Sequence, residues 1–279
     1  MKTVLKGKIS ELVIDNEGSV QIIGECINPT RRKKLVSELS ENKFDYVLEL
    51  AHRQINDGAS ILDVNVGYPG VDDVKLLPET IMRLQDRFDV PLCIDTPNPQ
   101  ALEAGLKVYK GKCLINSVNG EDKSLNTILP LASDYGAAII GLTMDDNGIT
   151  HDPIHRLKIA EMIVERALKI GIKNEDIVID PLAMAVSADP GAAMVTLETI
   201  KLVNKNLGLN ITQGSSNVSF GLPGRETINN SFMVISIFNG LSCPIANPSK
   251  VTSIVRATDL LMGRDDLAMN FIGCFQRGN

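Results

Sequence analysis

The 279 residues contain no tryptophan and only three histidines, and their five cysteines never form a Cys-x-x-Cys pair. Cys26, Cys93, Cys113, Cys243 and Cys274 are odd in number and widely spaced, so neither a disulfide framework nor a zinc knuckle is indicated. His151 and His155 stand four apart but lack the glutamate of a His-Glu-x-x-His helix, and with His52 they read as surface or core residues rather than metal ligands. No Gly-x-Gly-x-x-Gly follows the first apolar run, no phosphate-cradling Gly-x-x-x-x-Gly-Lys-Ser/Thr occurs, and no Gly-x-Ser-x-Gly elbow is present. A doubly wound nucleotide-binding sheet and a serine hydrolase are both disfavoured.

Long hydrophobic runs are missing too: none has the length of a membrane span, and residues 1–20 carry acids, glycine and lysines where a signal peptide has its apolar core. A soluble, cytoplasmic protein with no membrane partner is expected. Positive charge is scarce, with 28 basic against 34 acidic residues and a net charge of −6, which argues against a nucleic-acid partner. The single basic cluster, Arg31-Arg32-Lys33-Lys34, reads as a solvated loop, with a local anion site as the sharper alternative.

What remains is aliphatic and periodic. Hydrophobic residues make up 44% of the chain, enough for a large core. After a short N-terminal pair of extended segments, apolar runs at 21–24, 60–66, 91–95, 113–117, 137–143, 177–180, 211–216 and 243–246 alternate with amphipathic stretches. Those stretches fall at 44–56, 74–87, 99–108, 125–135, 156–170, 192–207, 227–239 and 251–261. Strand and helix in alternation mark parallel β/α units, and about eight of them close a TIM (β/α)8 barrel, here expected to occupy 1–279 as one domain. Gly58, Gly111, Gly136, Gly171, Gly208 and Gly240 follow helices where a left-handed residue releases the chain. The N-terminal pair is expected to close the bottom of the barrel.

Polar residues stand where the strands end. Asp63 and Asn65, Asp95, Asn116 and Asp180 follow apolar residues directly, Asn217 stands after the seventh run, and in a barrel such ends converge on one mouth. One Asp or Asn at a strand end often caps the next helix. Asp63 and Asn65, two apart, face the same way and cannot both be caps. A ring of acceptors and amides with few cations suits a neutral ligand rich in N–H donors better than a phosphosugar.

Taken together, Gly24-Glu25-x-Ile27-Asn28, Asp63-Val64-Asn65-Val66-Gly67, Cys93-Ile94-Asp95-Thr96, Ile115-Asn116-Ser117, Ile179-Asp180-Pro181 and Ser216-Asn217-Val218-Ser219-Phe220-Gly221 resemble the pterin-binding methyltransferases. The likeness runs in order from about Val20 to the end. It is nearest to the methyltetrahydrofolate:corrinoid protein methyltransferases and the folate module of cobalamin-dependent methionine synthase. The resemblance implies a pterin held by Asp95, Asn116 and Asp180, with Asp63 and Asn65 in the same ring, and Asn217 contacting folate N5 as the catalytic residue. It also implies contacts with the mouth or a partner by Glu25, Asn28, Ser219 and Arg225, methyltetrahydrofolate as substrate, cobalamin on a separate corrinoid protein, and a homodimer. Cys26 departs from the pattern, which commonly has arginine there. Dihydropteroate synthase shares the barrel, but its late Ser-x-Arg motif is absent from Ile245-Ala246-Asn247-Pro248. A non-enzymatic folate carrier is the other alternative.

Overall fold

The computed structural model describes residues 1–276. The chain opens with an antiparallel hairpin of β1 (Lys2–Lys6) and β2 (Glu11–Asp15). Eight parallel strands follow: β3 (Ile23–Ile27), β4 (Ile61–Val64), β5 (Leu92–Asp95), β6 (Leu114–Asn119), β7 (Ala138–Leu142), β8 (Ile177–Asp180), β9 (Asn210–Ile211) and β10 (Ile245–Ala246). They pair in chain order, and β10 returns to β3. A parallel bridge from Gly214 to Ile245 and hydrogen bonds from the Ser242 and Cys243 N–H groups to Ile211 O, both 3.0 Å, join the β9 and β10 segments and close the ring.

The helices are α1 (Lys33–Ser40), α2 (Asp45–Asn56), α3 (Asp73–Arg87), α4 (Pro99–Val108), α5 (Asp122–Asp134), α6 (Pro153–Lys169), α7 (Ala192–Leu207), α8 (Arg225–Asn239), α9 (Pro248–Leu261) and α10 (Met269–Gln276). Three of them start alike. Asn98, Asp152 and Asn247 each accept a hydrogen bond from the N–H two residues on, and each precedes a proline at the first helical position. Proline has no N–H to leave unpaired there, and its φ already suits a helix. For this reason α6 and α9 begin three residues before the stretches expected from apolar spacing.

Two aliphatic layers result. Outside the strands, the larger core packs the helices on the sheet. Inside, Ile23, Ile61, Cys93, Leu114, Ala138, Ile140, Val178 and Cys243 fill the barrel, and Leu5 and Ile14 of the hairpin pack against them. The hairpin thus plugs the N-terminal end, as expected. Its approach requires Gly111, whose φ is +120° and where a Cβ would lie 2.1 Å from Gly7 O. All six post-helix glycines named above have positive φ.

The structure departs from expectation in three places. Lys33 and Lys34 enter α1, so the basic run is half helix. Of the run 211–216 only Ile211 is strand, the last residue of β9, and the chain then coils into a 3-10 turn (Ser215–Ser219). α1 and α10 were not expected; both are short, and neither faces a strand it must cover. Among the described residues, no helix is long and apolar enough to cross a membrane.

Candidate functional site

The strand ends form a polar layer above the aliphatic filling. Parallel registers set Asp95 beside Asn116 and Leu142 beside Asp180. Asn116 Nδ2 donates to Asp63 Oδ1 at 3.2 Å, and Asn65 Nδ2 donates to Asp95 Oδ2 at 2.9 Å. Neither Asp63 nor Asn65 caps a helix, and Asn65 Oδ1 accepts from the Gly67 N–H at 2.8 Å. The Asn116–Ser117 peptide is cis.

Asp63 is 3% exposed and Asp180 6%. Burial pushes the carboxyl of Asp63 upward, reinforced by the nearby charge of Asp95, while hydrogen bonds from Asn116 and Cys93 oppose the shift. Asp95 is raised by the same desolvation, and its bond from Asn65 offsets part of the shift. Asp180 is pushed up to about 7 by burial, against the Leu182 N–H at 2.7 Å and the charge of Arg156. Burial in this layer disfavours several ionised carboxylates side by side, which is the common cause of the three upward shifts.

Asp95 and Asn116 border a cavity of about 570 Å³, which is completed by Thr96, Ser117, Asn119, Glu121 and Lys123 among others. Asp63 and Asn65 stand behind these two through the hydrogen bonds above. Asp180 lies two strands further round, on β8, with its own loop. Asn217 sits in the 3-10 turn after β9, exposed, its backbone N–H bonded to Gly214 O at 3.2 Å. Asn28 is turned inward on its own loop, accepting from Thr30 N–H at 3.0 Å. Ser219 is corrected from a mouth or partner contact to a buried anchor: it is fully buried and accepts from Arg225 Nε at 2.9 Å. Glu25 and Arg225 meet in a second cavity; burial raises the Glu25 carboxyl, and Arg32 and Arg225 counteract it. Cys26 is buried, and desolvation raises its thiol, so it is not a ready nucleophile.

Reading the sequence missed Arg156. It lies in the first turn of α6, where an arginine reads as solvated, yet it is 0% exposed. Its Nε donates to Thr150 O at 2.8 Å, and Nη1 donates to Pro181 O at 2.6 Å and Leu182 O at 2.9 Å. One guanidinium therefore ties the loop after β7 to the loop that carries Asp180. Leu182 has φ +61°, a conformation this network holds in place. No local pattern announces such a role. Arg32 was noticed only as part of the basic run, although it faces Glu25 and Cys26.

A closed barrel with its acids and amides at the C-terminal mouth defines a class: a (β/α)8 protein with a polar strand-end site. The sequence places it further. A profile described as "Pterin binding enzyme" matches residues 24–247, and the chain belongs to that family. A methylcorrinoid:tetrahydrofolate methyltransferase of Eubacterium limosum is 31% identical over 266 residues, which take in 92% of this chain and 96% of the relative. Methionine synthase of Mycobacterium tuberculosis is 29% identical over 253 residues, 86% of this chain but 21% of that much longer protein. In fold, the chain superposes on dihydropteroate synthase of Yersinia pestis with a TM-score of 0.71 at 17% identity, covering 90% of this chain and 96% of that one. The corresponding enzyme from Vibrio fischeri gives a TM-score of 0.71 at 16% identity, over 94% of this chain and 99% of that one.

Proposed function

We propose that this enzyme moves a methyl group between N5 of methyltetrahydrofolate and the cobalt of a corrinoid carried by a separate protein. The observation that supports it best is the strand-end set Asp95, Asn116 and Asp180, in a chain aligned almost end to end with a methylcorrinoid:tetrahydrofolate methyltransferase. A pterin presents an exocyclic amine, ring N–H groups and one carbonyl. Carboxylates and an amide match that edge, and the carboxylates accept paired N–H donors as they would from a guanidinium. Asp63 and Asn65 orient Asn116 and Asp95 through the hydrogen bonds described above.

When the methyl carbon leaves, the C–N5 bond breaks, its electron pair stays on nitrogen, and one proton must arrive for a neutral amine to depart. Asn217, on an exposed turn, donates a hydrogen bond at N5 that strengthens as charge develops there. Burial raises the carboxyls of Asp63, Asp95 and Asp180 alike, and Asp180, at about 7, is the group poised to exchange a proton through water. The reverse transfer uses the same residues.

An open mouth admits a partner domain, which fits the exposure of Asn217 and of Phe220, 52% accessible between the guanidinium groups of Arg31 and Arg225. The homodimer has a face available. Val234, Ile235 and Phe238 form an exposed apolar stripe on α8, and no charged residue occurs from Thr227 to Asn239.

Dihydropteroate synthase, the second reading, rests on shared fold alone. Two assays separate the readings: calorimetric titration with methyltetrahydrofolate, and turnover with hydroxymethyldihydropterin diphosphate and p-aminobenzoate. Binding in the first and no condensation in the second is expected; dihydropteroate formation would overturn the methyltransferase reading.

A further inference from the structure

Asp180 ends β8 and Asn217 follows β9, yet the chain that leaves β8 reaches across to hold the turn that carries Asn217. The connection 181–191 is fixed at both ends. Near Asp180, Pro181 O and Leu182 O accept from the Arg156 guanidinium, and Thr196 Oγ1 donates to Leu182 O at 3.1 Å. At the far end Asp189 Oδ1 accepts from the Gly191 N–H and Oδ2 pairs with His151 Nδ1, both at 2.8 Å. Between these ends the connection meets the Asn217 turn twice. The Val186 N–H donates to Val218 O at 3.0 Å, and Ser187 Oγ donates to Phe220 O at 2.6 Å.

The two contacts differ in kind. Val218 is 1% exposed, so the first is seated in the core. Ser187 and Phe220 are both exposed. Water competes for a bond in that position, and its net contribution to folding is small. Its effect is geometric instead. The Phe220 N–H donates to Asn217 O at 3.1 Å, so the residue whose carbonyl Ser187 holds is itself bonded to Asn217. Gly221 comes next with φ +81°, and a Cβ there would lie 3.2 Å from Ser187 Oγ, so the close approach depends on glycine.

We infer that Ser187 is a positioning residue for Asn217: through Phe220 O it fixes the turn after β9 to the connection that starts at Asp180, and so sets the donor at N5 relative to the anchor of the pterin ring. The inference rests on the methyl-transfer reading above. Ser187 acts on the turn and not on the substrate. Misplacing a reacting group by about 1 Å can cost on the order of 10² in rate, so one hydrogen bond that holds a turn in register is felt in the chemical step before it is felt in binding.

The test is single-turnover methyl transfer from methyltetrahydrofolate to Co(I) cobalamin, with folate affinity measured by calorimetry on the same proteins. Ser187→Ala should lower the transfer rate roughly tenfold and leave the folate Kd and the urea midpoint unchanged. Ser187→Thr keeps the hydroxyl and should restore the rate. In an Asn217→Ala background, Ser187→Ala should cost nothing more, because a residue that acts through Asn217 has nothing left to position. The inference alone is overturned by any of four results: an unchanged rate in Ser187→Ala, a Thr variant as slow as the Ala variant, a loss that persists without Asn217, or parallel losses of rate, affinity and stability. No transfer by wild type overturns the methyl-transfer reading and the inference with it.

Discussion

Asn217 and Asp180 carry different parts of the chemistry, and replacing each should separate them. Asn217→Ala removes a donor that matters most as charge develops on N5, so the methyl-transfer rate should fall about 10²-fold with folate affinity changed little. Stopped-flow transfer combined with equilibrium binding checks this; equal loss in both would reduce Asn217 to a plain binding contact. Asp180→Ala should instead raise the folate Kd roughly tenfold, because a buried anchor for ring N–H groups is lost.

Asp180 also predicts a pH dependence of stability. Its folded pKa, about 7, lies above the ordinary 3.8, so the folded chain binds its proton more tightly than the unfolded chain does. That contribution is complete below about pH 4 and is lost as pH rises through 7. In ligand-free protein, thermal unfolding of Asp180→Asn relative to wild type should therefore gain several degrees between pH 5 and about 8. A constant difference over that range would place Asp180 in a wetter environment. Arg156 belongs to the same scale. Arg156→Lys cannot reach Thr150, Pro181 and Leu182 carbonyls at once, and loosening the Asp180 loop is the expected consequence.

At the scale of elements, the alternation of strands and helices was legible because most β/α units repeat one solution: an apolar strand, a polar residue at its end, an amphipathic cover and a left-handed glycine. The start at Asn98-Pro99 was placed correctly, but those at Asp152-Pro153 and Asn247-Pro248 were placed late, since proline reads as a breaker unless the preceding Asn or Asp is recognised as a cap. The seventh strand was overextended because Thr212, Gln213 and Ser215 stay buried beyond Ile211, where isolated ladder bonds and side-chain hydrogen bonds to Cys243 O and Ser236 Oγ hold the chain before it coils. The hairpin offers a direct test of the lower plug. Leu5→Ala should cost about 2–5 kcal/mol in urea unfolding, the range for emptying a closely packed interior. For the exposed stripe on α8, Phe238→Glu should turn a dimer into a monomer in sedimentation velocity; an unchanged mass would exclude that face as the interface.

Over the whole molecule, the ring of Asp95, Asn116 and Asp180 could be read in advance because strand ends of a barrel converge whatever the loops do. Arg156 could not, because its Pro181 and Leu182 partners lie on a loop distant in sequence. The division of the mouth into a side of buried carboxyls and an amide at β4, β5, β6 and β8 and a mixed cavity at β9 and β10 is a property of closure, which brings β10 back to β3. The most direct measurement is to incubate the protein with methyltetrahydrofolate and Co(I) cobalamin and follow the absorption spectrum under anaerobic conditions. Methylcobalamin should appear at a rate proportional to enzyme and stoichiometric with tetrahydrofolate. Tight folate binding with no methylcobalamin, either on free cobalamin or on a corrinoid protein, would make the chain a carrier and contradict the assignment.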